Sequence, residues 1–60
     1  MRYEYIIYMS PKGTKQYSDH VEVYAKNKKV AMERARDIMF NATGSHYVAR
    51  KANKTGRKIV

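Results

Sequence analysis

Two runs of alternating residues give way near Asn27 to a helical spacing, and that change of period confines the chain to a small α+β fold. Residues 2–9 are dense in aromatic and β-branched types, which favours a strand. Ser10 to Lys15 then reads as a turn, with Pro11 presetting φ and Gly13 supplying a permissive backbone. Residues 16–25 alternate again, with Val21, Val23 and Ala25 on one side and His20, Glu22 and Tyr24 on the other. The two runs make a β-hairpin.

From about Asn27 to Asn41, residues Val30, Ala31, Ala35, Ile38, Met39 and Ala42 recur at three- and four-residue spacings along one helical stripe. Asn27 suits an N-cap, because its side chain can accept from an amide one turn on. Gly44 can end the helix in a left-handed conformation. Small Ala31 and Ala35 let the helix lie close to a sheet. Residues 46–52 read as a third strand. Asn53-Lys54-Thr55-Gly56 reads as a turn, and residues 53–60 are expected to be a basic tail or an edge strand, with a short fourth strand at the end. The expected architecture is a small antiparallel sheet in ββαβ order with one helix on one face. Its core takes Tyr3, Tyr5, Ile7 and Met9 with Val21, Val23 and Ala25.

At 60 residues there is room for a single small domain. Such a chain buries only about 60% of its unfolded surface, and without cysteine it has neither disulfide nor thiolate metal site to staple it. Tight packing or a second copy must supply the difference, so a monomer or a homodimer is expected. Met1 leads straight into Arg2 and Tyr3 with no long apolar run, so neither a signal peptide nor a membrane span is expected and the cytoplasm is the default.

Charge divides the chain. Residues 1–25 are neutral overall, whereas residues 26–60 carry all of the net +8, and no acid occurs from Gly44 onward. Lys26, Lys28, Lys29, Arg50, Lys51, Lys54, Arg57 and Lys58 are the candidate phosphate contacts, expected to converge on one cationic surface. Lys28 and Lys29 stand in the first helical turn, where cations oppose the dipole and a bound phosphate would reverse that penalty. The face turned away from the helix would carry Glu4, Ile6, Tyr8, His20, Glu22 and Tyr24, joined by Tyr47 if the third strand's register allows. Tyrosines beside basic residues offer a stacking surface for unpaired bases, although tyrosine also simply suits a half-buried strand, and Glu4 and Glu22 work against phosphate there. Phe40 lies off the buried stripe, either as a contact residue or, if the helix ends early, folded back over the rim of the core.

Catalytic chemistry is not legible. His20 and His46 lack a third ligand at metal spacing, no glycine-rich phosphate loop follows a strand, and Ser45 beside His46 is adjacency rather than a triad. No enzyme activity, metal or cofactor is expected.

The stretch from residue 17 to 51 resembles archaeal ribosomal protein LX and its eukaryotic large-subunit relatives. The matching residues are Val23-Tyr24-Ala25, Ala31-Met32-Glu33-Arg34, Gly44-Ser45-His46 and Val48-Ala49-Arg50-Lys51. The chain departs from that pattern after Ser45, where the family usually has one more residue before the histidine, and in its tyrosine-rich first strand. The resemblance implies a ββαβ-type domain using its basic third strand and helix start on ribosomal RNA. The leading expectation, drawn from the clustered basic residues, is a small basic nucleic-acid-binding protein, RNA ahead of DNA. The alternative is an accessory or inhibitor protein of the kind phages and mobile elements encode, docking Met32, Phe40 and Tyr8 within a basic rim onto an acidic face of a host protein.

Overall fold

A computed structural model describes residues 1–16 and 19–59. Strand β1 spans Arg2–Pro11, β2 Asp19–Ala25, helix α1 Lys28–Thr43 and β3 Tyr47–Ile59. Among the described residues the sheet has three strands in the order β2-β1-β3, with β1 antiparallel to both neighbours. The two outer strands therefore run the same way, and α1 carries the chain between them across one face.

The alternation of β1 decides which face that is. Tyr5, Ile7 and Met9 are buried on the helix side, and they meet Val23 and Ala25 of β2 and Ala31, Ala35 and Met39 of α1. Ala31 and Ala35 are fully buried. With only a methyl at each position, the helix backbone approaches the strands closely. Asn27 caps the helix start by accepting from the Val30 amide at 2.9 Å. Gly44 ends it at φ +74, its amide donating to the Phe40 carbonyl at 2.7 Å. At the other turn the Thr14 amide donates to the Pro11 carbonyl at 3.0 Å, and Gly13 takes φ +92.

Several expectations change. The helix runs beyond Asn41 to Thr43, so Phe40 does not fold back at a frayed end but stays helical and 44% exposed. Ile38, placed by spacing on the buried stripe, is 43% exposed, and Ala42 is also exposed. The three-stranded sheet is narrow, and Ala31, Ala35 and Met39, flanked by Val30 and Met32, make the helix's contact with the core. Met32, expected as an exposed anchor, is instead half-buried against the core. Residues 53–56 form no turn. They continue β3, which pairs with β1 as far as Ile59 opposite Arg2, so this segment is an edge strand rather than a separate fourth strand. Val60 lies outside the described residues, as do positions 17 and 18 of the second expected strand.

β3 accommodates its length by bulging twice. Tyr3 and Tyr5 face Lys58 and Lys54, so β3 spends two more residues than β1 there; Tyr8 and Met9 face Lys51 and Ala49, leaving Arg50 as one extra residue. Gly56, at φ +97, lies in the first irregularity and permits its backbone path.

The burial pattern predicts a contrast between two isoleucines. Ile7→Ala should destabilise by about 2–5 kcal/mol, enough to unfold much of so small a domain. Ile38→Ala should change stability by only about 0.5 kcal/mol. Thermal melts followed by circular dichroism check both.

Candidate nucleic-acid interface

The ladder registers place the basic residues. Ala25, Tyr3 and Lys58 stand at one level on three adjacent strands, so Lys26, the helix start with Lys28 and Lys29, and the end of β3 share one end of the sheet. With strands about 4.8 Å apart, the Cα atoms of Ala25 and Lys58 are roughly 10 Å from each other. Arg2, opposite Ile59, belongs to the same end. Lys26, Lys28, Lys29, Arg57 and Lys58 are all exposed there, and the first helical turn contains no acid.

Lys54 is brought to this end in a different way. Its Nζ lies 3.7 Å from the centroid of the Tyr3 ring, a cation–π contact that covers the rim of the core on the helix side. Arg50 and Lys51 stand apart from this group, at the level of Tyr8, about 17 Å further along β1. The eight candidate contacts thus form two groups instead of one surface.

The bulge at Arg50 has a local cause. Arg50 Nε donates to Ser10 Oγ at 2.9 Å, and its Nη2 donates to the Thr14 carbonyl at 3.0 Å. Ser10 Oγ in turn donates to the Thr14 carbonyl at 2.6 Å. Ser10 is fully buried under this network although it points away from the helix. Arg50 therefore pins the turn after β1, using two of the guanidinium's five donors.

Three rows of side chains cross the face opposite the helix. The first is His20, Tyr8 and Lys51; the second is Glu22, Ile6 and Asn53; the third begins with Tyr24 and Glu4. Tyr8 and His20 have ring centroids 6.1 Å apart with planes at 44°. Glu4, expected to repel phosphate, is only 6% exposed, and Thr55 Oγ1 donates to its Oε1 at 2.6 Å. The Arg57 amide donates to the same hydroxyl at 3.3 Å, so the wider irregularity in β3 supplies the buried carboxylate with its partner. Tyr24 is half-buried, and its carbonyl accepts from Arg34 Nη1 at 3.3 Å.

Tyr47 does not join this face. It sits opposite Pro11, packs against the core on the helix side and donates to Asp19, so its ring is committed to the fold and is not a stacking candidate. Partial burial, followed by the charge and the hydrogen bond of Asp19, holds its phenol above the usual tyrosine range. Phe40 stacks against His46 with centroids 4.9 Å apart, which partly engages the candidate anchor.

Among the described residues no group of three potential metal ligands occurs, and no helix is long and apolar enough to cross a membrane. No protein-family model, curated protein or solved structure matches the chain.

A double-mutant cycle between Ser10→Ala and Arg50→Gln should give a coupling of about 1 kcal/mol in chemical denaturation, whereas an idle contact would give none. Tyr47 favours its protonated form in the folded chain, so its contribution to stability is full below the ordinary tyrosine pKa near 10 and is lost as pH rises through the higher folded value. Asp19→Asn removes the charge responsible for part of that shift. Melts taken on both sides of about pH 10 should therefore show a smaller alkaline loss in the variant than in the wild type.

Proposed function

We propose that the protein is a small non-enzymatic module that binds nucleic acid, RNA ahead of DNA. One observation carries the reading: Lys26, Lys28 and Lys29 meet Arg57 and Lys58 at one end of the sheet, although some 30 residues of chain separate the two groups. Such clustering of exposed cations raises self-repulsion, and a polyanion relieves it. The bulge-supported burial of Glu4 withdraws a carboxylate that would otherwise oppose phosphate. The resemblance of residues 17–51 to the ribosomal family favours RNA.

A second reading, docking on an acidic face of a host protein, draws on Ile38 and Phe40, which are 43% and 44% exposed on α1. The two differ in what Phe40→Ala does: it leaves nucleic-acid affinity unchanged under the first and abolishes partner binding under the second.

Titration of labelled RNA and duplex DNA at several salt concentrations tests the primary reading. Five or six phosphate contacts predict a log–log slope of about −3.5 to −4 on single-stranded RNA and about −4.5 to −5.5 on duplex DNA, and replacing Lys28 and Lys29 by Gln should reduce it by about 1–2. Absent binding, or affinity independent of salt, contradicts the proposal.

A further inference from the structure

The bulge in β3 does something that regular alternation forbids. Consecutive residues of a strand point to opposite faces. Yet Lys51 stands opposite Tyr8 on the face away from the helix, and Arg50 reaches Ser10, which belongs to that same face of β1. Ala49, the next residue back, returns to the helix side opposite Met9 and packs against the core. The extra residue therefore presents two adjacent cations on one face, beside the row formed by Tyr8 and His20.

We infer that this face takes an unpaired nucleotide, and hence that the ligand class is single-stranded nucleic acid. The inference rests on the nucleic-acid reading proposed above and deepens it. Tyr8 lies on the central strand, so Lys51 is about 5 Å away on one side and His20 about 5 Å away on the other, measured between backbones. A base laid against the aromatic pair puts its phosphate within reach of Lys51 and of the donors Arg50 does not spend on the turn. Duplex DNA or RNA keeps its bases inside the stack and cannot use the aromatic row. Glu4 is sequestered by Thr55, while Glu22, exposed one row away on β2, is the carboxylate that limits how far a backbone can spread toward that edge.

The probes are an RNA strand of about ten nucleotides, the DNA strand of the same sequence, and its duplex, all at one salt concentration. Both single strands should bind about tenfold more tightly than the duplex. Tyr8→Leu should weaken single-strand binding about tenfold and leave duplex binding within about twofold, and Lys51→Gln should weaken it about threefold. Because the chain contains no tryptophan, Tyr8→Trp introduces a single indole, excited selectively above the tyrosine absorption, that retains a stacking ring. Its emission should be quenched by either single strand and not by the duplex, which keeps the test informative if Tyr8→Leu fails to fold. Equal binding of strand and duplex, with no quenching, overturns the inference and leaves the wider nucleic-acid reading standing. Failure of every probe to bind removes both.

Discussion

Strand β1 is the member on which the other three elements depend. Among the described residues it is the one strand paired along both edges, and its odd-numbered side chains supply the centre of the core. Because successive side chains alternate, the commitment of Tyr5, Ile7 and Met9 to the helix forces Glu4, Ile6, Tyr8 and Ser10 to the other side. A one-residue slip would exchange the two sets and expose the core, so hydrophobic burial fixes the register. The composition of the second face is thus a consequence of how the first is stabilised.

On that second face, polar groups are not left to water alone. Ser10 is buried by the turn that Arg50 holds, and Glu4 by the irregular stretch of β3 that carries Thr55. Each would be a burden if unpaired, because a buried hydroxyl or carboxylate without a partner is destabilising by more than a typical hydrogen bond contributes. Both irregularities of β3 therefore serve the even-numbered side of β1. They also interrupt the outer edge of a long basic strand, which discourages pairing with another chain.

The sequence made the hairpin, the helix and its caps readable, because each rests on a local rule: alternation, three-and-four spacing, an Asn that accepts from an amide, a Gly that adopts positive φ. The path of β3 was hidden for the opposite reason. Asn53 to Gly56 has the composition of a turn, and only pairing with the start of β1, some fifty positions away, keeps it in the sheet. The same non-local register puts Tyr47 on the helix side and turns Arg50 toward Ser10. Ile38 shows the limit of periodicity: it names a stripe, while the width of the sheet decides how much of that stripe is covered. As for the site, the basic residues were visible as a cluster in sequence, but their division into an end group and a pair at the level of Tyr8 follows from residues 50 to 58 lying along one continuous strand.

Burial fixes the core face of β1, the strand paired beside it shapes the polar face, and ligand contact is assigned to the second. Residue-resolved NMR, with a short RNA strand added stepwise, tests that assignment most directly. Amide shifts should concentrate at residues 8, 50 and 51 and at the Lys26–Lys29 and Arg57–Lys58 end, with the outer surface of α1 around Ile38 and Phe40 unmoved. Shifts confined to that outer surface of the helix, or none anywhere, would contradict it.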